Sequence, residues 1–242
     1  MLVRLSLKGQ DMRVKAICIL LISVWLVGSS QPGQVNEFGL RVVNSPNEYA
    51  KLVKSNPDFE LLNLKGLLNH AVFDIRYAST NNFTGKVVYK SPEAFLCTPA
   101  AKSFVEVEKY LFDQGICLKV FDAYRPYQAT LKFWDLVKDA NYAAAPETGS
   151  RHNRGCAVDI TLVSLKDNVE LEMPTPFDDF TEKASSGYMN LPSAVIQNRA
   201  IMKYAMEKFG FKQLSSEWWH FDYVGWEKYA VLDIPFDQLP TQ

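Results

Sequence analysis

Two short stretches hold the side chains best suited to chemistry. SRHNRGCAVDITLV, residues 150–163, sets His152 and Asp159 on either side of an Asn-Arg-Gly turn, and SSEWWHFDY, residues 215–223, contains Glu217 and His220. Of the chain's three histidines, these stretches hold two. Asp159 interrupts Ala157, Val158 and Ile160, where an apolar side chain would pack better. A buried, unpaired carboxylate is costly, so this position demands a partner. A metal ion is one such partner: catalytic zinc takes three protein ligands from His, Asp or Glu and keeps a fourth position for water. His152, Asp159 and His220 supply one such set, one ion per chain. The turn would fold the histidine back toward the strand bearing the aspartate. Spacing alone leaves structural alternatives open, with Asp159 bridged to Arg151 or Arg154 and His220 a core histidine bonded to backbone.

A hydrolytic metal site also needs a base that takes a proton from the attacking water and passes it to the leaving amine. Glu217, just before His220, suits that role. In a regular strand the two side chains would point to opposite faces, so a bulge or loop must re-aim Glu217; the alternative is a solvated carboxylate at a strand end. Arg125, in FDAYRP, offers a fixed guanidinium to the oxyanion that develops when a carbonyl is attacked. Its alternative is an ion pair with Asp122 or another carboxylate.

The elements that must position these groups are read from periodicity and punctuation. AVFDIRYASTNNFTG reads as a strand ending in a polar turn. In CTPAAKSFVEVEKYLFDQG, Thr98 is the expected N-cap, Pro99 the first helical residue and Gly115 the position just beyond the end. ICLKVFDAYRP follows as a strand stopped by Pro126, which puts Arg125 at its end. A second helix is expected over about 126–140, with Leu131, Trp134 and Val137 at helical spacing, and then a strand over about 156–163. The polar stretch up to about Leu191, with Asp178 and Asp179 in MPTPFDDF, is too long for a plain connection and is a candidate functional loop. PSAVIQNRAIMKYAMEKFG gives a third helix, with Ile201, Ala205 and Phe209 on one side and Gly210 as its stop. EWWHFDYV closes the core as a last strand. Strands interspersed with helices, and no Gly-rich phosphate loop, indicate one α+β domain rather than a doubly wound nucleotide binder.

With 242 residues, 48% of them hydrophobic, the chain is long enough to bury a substantial core. Its 26 basic and 27 acidic residues form no basic run that would track a phosphate backbone, which argues against nucleic acid as a partner. At the N-terminus, Arg4, Lys8, Arg13 and Lys15 precede an apolar run over residues 16–27 and then Gly28-Ser29-Ser30. That is the layout of a secretory signal peptide, residues 1–30, cleaved near Ser29 or Ser30 and leaving residues 31–242 as the functional domain, periplasmic or secreted. The alternative is an uncleaved N-terminal membrane anchor, but the run falls short of the roughly 20 residues a span needs. Removing Cys18 with the signal leaves Cys97, Cys117 and Cys156, an odd number with no CxxC, read as buried thiols with at most one intramolecular pair.

With STNNFTGK, DAYRP, SRHNRGCAVDITL, MPTPFDDF and SSEWWH in this order, the chain resembles the D-alanyl-D-alanine dipeptidases of the vancomycin-resistance type. These zinc peptidases share a fold with bacterial DD-carboxypeptidases and the Hedgehog signalling domain. The likeness spans roughly residues 60–225 and includes Ser150, His152, Gly155, Ala157 and Asp159 of an SxHxxGxAxD motif and Glu217, Trp219 and His220 of an ExWH motif. The resemblance implies a mainly antiparallel central sheet with flanking helices. It also implies zinc on His152, Asp159 and His220, Glu217 as general base and Arg125 as oxyanion stabiliser. Asp178 would receive the free ammonium group of a dipeptide, and Ser150 would lie beside the substrate. The implied reaction is hydrolysis of D-Ala-D-Ala to two D-alanines by a metal-activated water. Cys156 departs from the small residue, often serine, found at its position, and could pack, oxidise or coordinate. Resistance dipeptidases act in the cytoplasm, so an apparent export signal shifts the expected role toward dipeptide scavenging or cell-wall turnover. Two other readings are a DD-carboxypeptidase or endopeptidase acting on peptidoglycan stems, and a non-catalytic zinc-containing binding module.

Overall fold

The strand that carries Asp159 runs through the middle of the molecule. The computed structural model describes residues 32–140 and 142–239; the stretch read as an export signal, residues 1–30, lies outside them. The described residues belong to one compact unit. In chain order they form β1 (Gln34–Val35), β2 (Arg41–Val43), α1 (Pro46–Ser55), β3 (Leu61–Asn63), α2 (Leu64–Leu67), β4 (Val72–Phe73), β5 (Phe95–Cys97) and α3 (Thr98–Phe112). Then come β6 (Ile116–Asp122), α4 (Tyr127–Val137), β7 (Ala157–Ser164), α5 (Ser193–Lys208), β8 (Phe211–Gln213), β9 (His220–Tyr223) and β10 (Val231–Leu232). The main sheet has the order β4-β6-β7-β9-β8; β4 pairs parallel with β6 and every other pair is antiparallel. This is the expected α+β architecture. Two small sheets, β3-β5 and β1-β2-β10, flank it.

The two faces of the sheet differ. The register pairs Val158 with Phe221, Phe221 with Gln213, and Tyr223 with Phe211, so these share one face. Phe104 of α3 meets Phe211 edge-on, with ring centroids 6.0 Å apart, and α5 packs on α3, β7 and β8. The helices therefore cover the face of Val158 and Ile160. Their removal from water supplies the hydrophobic term that holds the layers together, roughly 1.5–3 kcal/mol for each large apolar side chain fully buried. By strand alternation, Asp159 and His220 point to the opposite face.

Several local features depart from the sequence reading. Thr98 is the first helical residue rather than the N-cap; Cys97 occupies the cap, and the Thr98 hydroxyl donates to the Glu60 carbonyl instead. On α4 the buried side chains are Tyr127, Ala129, Thr130 and Phe133, while Leu131, Trp134 and Val137 are half-buried. On α5 the buried face is Val195, Arg199, Met202, Ala205 and Met206; Ala205 belongs to it, and Ile201 and Phe209 lie at its margin. The strand expected from Ala71 stops at Phe73, and the chain turns through a 3-10 segment, Arg76–Ala78. The strand expected over EWWHFDYV, β9, begins at His220 rather than at Glu217, and β10 follows it.

Candidate active site

Backbone pairing puts three polar residues in one row across the sheet. Asp122 of β6 pairs with Asp159 of β7, which pairs with His220 of β9. Asp122 reaches that row through a β-bulge: Val120 pairs with Ile160, but the next pair joins Asp122 to Asp159, leaving Phe121 as the extra residue. Without the bulge Asp122 would lie opposite Val158, on the helix-covered face. Like charges directly opposite on neighbouring strands repel, so the row needs cationic partners.

His152 arrives from a 3-10 turn, His152–Arg154, ended by Gly155 in the left-handed region. Asn153 pegs this turn in place: its amide donates to the Arg125 carbonyl and to Thr130 Oγ1, both at 2.8 Å, and its Oδ1 accepts from the Ser150 N–H at 2.7 Å. The Ser150 hydroxyl accepts the His152 N–H at 3.2 Å. Thus the turn folds the histidine back over β7, as its sequence suggests.

The candidate ligand atoms converge. His152 Nε2 lies 3.1 Å from His220 Nδ1 and 3.4 Å from Asp159 Oδ1, and His220 Nδ1 lies 3.0 Å from Asp159 Oδ1. A tetrahedral cation with bonds of about 2.0–2.1 Å separates its ligand atoms by about 3.3 Å, so these edges fit such an ion. Both imidazoles are oriented from behind. His152 Nδ1 donates to the Ala123 carbonyl at 2.6 Å, and His220 Nε2 donates to Asp222 Oδ1 at 2.9 Å, which leaves His152 Nε2 and His220 Nδ1 free to bind. Asp159 Oδ1 is sealed from solvent and, among the described residues, makes no well-formed hydrogen bond; its nearest polar neighbours are the two imidazole nitrogens. Arg151 turns to Asp222 and Trp226, and Arg154 donates to the Tyr229 carbonyl, so neither neutralises Asp159. An orphaned carboxylate oxygen between two oriented imidazoles is a donor set for a metal ion.

Electrostatics favour positive charge there. Burial would lower the His220 pKa, but Asp222 and Asp159 hold it well above the imidazole range. Burial would raise that of Asp159, but His152 and His220 hold it below the carboxylate range.

Glu217 lies in the turn before β9, so the strand-parity difficulty does not arise. The turn is pinned by the Trp218 N–H on the Ala184 carbonyl and by Gln213 Nε2 on the Trp218 carbonyl. Glu217 Oε2 lies 3.8 Å from His220 Nδ1, and burial pushes its carboxyl above the usual range. Arg125 also faces the cleft, but it is ion-paired: Nε and Nη2 donate to Asp122 Oδ2 at 3.1 and 2.7 Å, and its Cζ lies 4.8 Å from the Phe133 ring centroid. Asp122 additionally accepts from the Tyr89 hydroxyl at 2.9 Å. The ion pair fixes the guanidinium while leaving Nη1 outside it.

All seven residues singled out from the sequence, His152, Asp159, His220, Glu217, Arg125, Asp178 and Ser150, line one cavity of ≈ 120 Å³. In the same cavity Asp178, with φ +61°, accepts from the Tyr77 hydroxyl at 3.0 Å and the Phe83 N–H at 3.3 Å. Burial pushes its carboxyl up to about 7. Phe83, Phe180 and Tyr142 form an aromatic wall, with centroids 5.3 and 5.0 Å apart. Tyr77 and Asp222 were missed; the Arg125–Asp122 ion pair is the alternative named from the sequence, but the place of Asp122 in the row was not foreseen. Asp222 carries a readable signal, because it sits two residues from His220 in a strand and so shares its face. Cys156, on the other parity from Asp159, points away from the cluster to Cys97; His70 stacks on Phe112.

Among known proteins, the family model described as peptidase M15, D-Ala-D-Ala dipeptidase, matches residues 58–236. A D-alanyl-D-alanine dipeptidase of Escherichia coli K12 is 32% identical over 173 residues, 72% of this chain and 89% of that protein. One of Enterococcus faecium is 30% identical over 169 residues, 62% of this chain and 84% of its own. The solved VanYB structure in complex with D-alanine-D-alanine aligns at 16% identity and a TM-score of 0.37, over 57% of this chain and 76% of its own. With the family model matched over most of its length, the chain belongs to the peptidase M15 family of D-Ala-D-Ala dipeptidases.

Proposed function

We propose that this protein hydrolyses the dipeptide D-alanyl-D-alanine to two D-alanines in a zinc-dependent reaction outside the cytoplasm. The observation that carries the metal assignment is the convergence of His152 Nε2, Asp159 Oδ1 and His220 Nδ1 at 3.0–3.4 Å around an oxygen that makes no well-formed hydrogen bond. An N,N,O donor set of imidazoles and carboxylate suits zinc. When bound, zinc polarises the scissile carbonyl and makes water acidic enough to attack near neutral pH.

The remaining steps fall to the chain. Glu217, its carboxyl raised by burial, takes the proton of the attacking water and delivers it to the leaving amine. Arg125, held by Asp122, donates to the oxyanion as the tetrahedral centre forms. Asp178 pairs with the substrate ammonium, and Ser150 flanks the substrate beside His152. A substrate with an acylated amino group brings no ammonium charge, so this pairing selects free dipeptides over longer peptides. The signal-like N-terminal sequence supports export, and among the described residues no helix is long and apolar enough to cross a membrane.

The test is hydrolysis of D-Ala-D-Ala by the purified protein, with zinc and after chelation, beside L-Ala-L-Ala and N-acetyl-D-Ala-D-Ala. Zinc-dependent cleavage of the free D,D-dipeptide alone is expected. Cleavage of the acetylated substrate would move the protein to trimming of peptidoglycan stems, and no cleavage with zinc bound would make it a binding module.

A further inference from the structure

Two of the cysteines stand in a relation that the catalytic reading does not use. Cys97 Sγ and Cys156 Sγ lie 3.5 Å apart, and both side chains are sealed from solvent, at 1% and 0% exposure. Cys97 ends β5 and caps α3; Cys156 directly precedes β7. Their backbones are already clipped together, since the Cys97 N–H donates to the Gly155 carbonyl at 2.8 Å. Gly155 permits this approach. At φ +62° it adopts a conformation other residues resist, and a Cβ there would collide with Leu61 Cδ2 and lie 3.0 Å from the Cys97 nitrogen. Cys117 is elsewhere, donating to the His70 carbonyl.

We propose that Cys97 and Cys156 form a structural disulfide as the chain folds in an oxidising compartment, tying β5 and α3 to the segment that carries His152 and Asp159. A disulfide needs its sulfurs about 2.05 Å apart, so they must close by about 1.5 Å, within reach of small side-chain rotations where the backbones are already in contact. With a small-molecule disulfide such as oxidised glutathione, one cysteine thiolate attacks and releases a glutathione thiol. The second cysteine then displaces the other glutathione. Two protein thiols are oxidised, one glutathione disulfide is reduced, and both protons end on the glutathione thiols. Both thiols are sealed from solvent in the folded protein, out of reach of a small-molecule disulfide, and burial pushes the Cys156 thiol well up, so the bond forms during folding. The cross-link lies away from Asp159 and leaves the cleft unmodified.

The inference is independent of the dipeptidase reading and uses export only as the source of oxidant. The full chain is unfolded, refolded in a glutathione redox buffer, and mapped by mass spectrometry without reduction. A second sample is purified without reductant from a host that exports it. The expected result is a cross-linked peptide joining Cys97 to Cys156, with Cys117 alkylated. The thermal midpoint should fall by about 5–10 °C when a phosphine reductant is added, and this shift should vanish in C156A but persist in C117A. Free Cys97 and Cys156 in the refolded protein, or a link from either to Cys117, would overturn it. A link in the refolded sample alone would support the pair and count against export.

Discussion

The metal-ligand row and the Asp178 loop, which line one cleft, are built by different means. In the metal part, Asp122, Asp159 and His220 occupy one row of a hydrogen-bonded sheet, and His152 is held over it by a turn pegged through Asn153. In the loop part, Asp178 sits in left-handed backbone and is held by one hydroxyl and one N–H from the segment after β4. A sheet row is fixed by many shared backbone bonds, so the site it carries is lost or kept as a unit. A loop anchored by few side chains yields by degrees. The first arrangement suits a cation whose ligands must stay within fractions of an ångström; the second suits recognition of a substrate group.

The largest effect should come from the row. His220→Ala removes one of the three donors and leaves Asp159 and Asp222 facing each other across a hole. Metal analysis should fall from one zinc per chain to background, with hydrolysis lost alongside. A variant that kept a full equivalent of zinc would show that His220 is not a ligand. Glu217→Gln tests the same part without touching the ligands. It should retain zinc while kcat falls by about 10²- to 10⁴-fold with little change in KM. Equal losses of zinc in both variants would erase the distinction between ligand and base.

Asp178 should produce a smaller effect of a different kind. Its carboxyl is pushed up to about 7 by burial, and capture of an ammonium needs the ionised form. As pH falls through about 7 the group takes up a proton, so kcat/KM for the free dipeptide should decline on the acid side of that value. Asp178→Asn, which tolerates the left-handed backbone, should lower kcat/KM at pH 8 by roughly 10- to 100-fold, the loss of a charge-assisted contact. It should also remove this acid limb. An unchanged pH profile in the variant would place the ammonium elsewhere.

The same contrast explains what could be read from the sequence. Asp159 and His220 were legible because a charged or polar residue inside an apolar strand has few explanations, and strand parity carries Asp222 along with His220. Asp122 was legible as an ion-pair partner for Arg125 but not as a member of the row, because the bulge at Phe121 reverses the parity that such reasoning relies on. The α5 face was misread because Arg199, buried and donating to the Ser185 carbonyl, sits in the middle of the apolar stripe and breaks its pattern. The strands β1, β2, β4 and β10 run for two or three residues, too few to show a period. In the loop part, periodicity says nothing. Tyr77 lies 101 residues from Asp178, and their meeting depends on how two irregular segments pack.

That meeting permits the finest test of the comparison. Tyr77→Phe keeps the ring that packs against Phe133, with centroids 4.6 Å apart, and deletes only the hydroxyl that donates to Asp178 Oδ1. The Tyr77 hydrogen bond favours the ionised carboxylate, in opposition to burial. Its loss should therefore move the acid limb of kcat/KM to higher pH. KM at neutral pH should rise on the order of 3- to 10-fold, because Phe83 still holds the second oxygen and the net worth of one hydrogen bond is modest. Zinc content and kcat at saturating substrate should stay near those of the parent, since the sheet row is untouched. Should kcat fall as far as KM rises, or zinc be lost, the loop would be supporting the metal part as well, and the division between a rigid row and a yielding loop would fail.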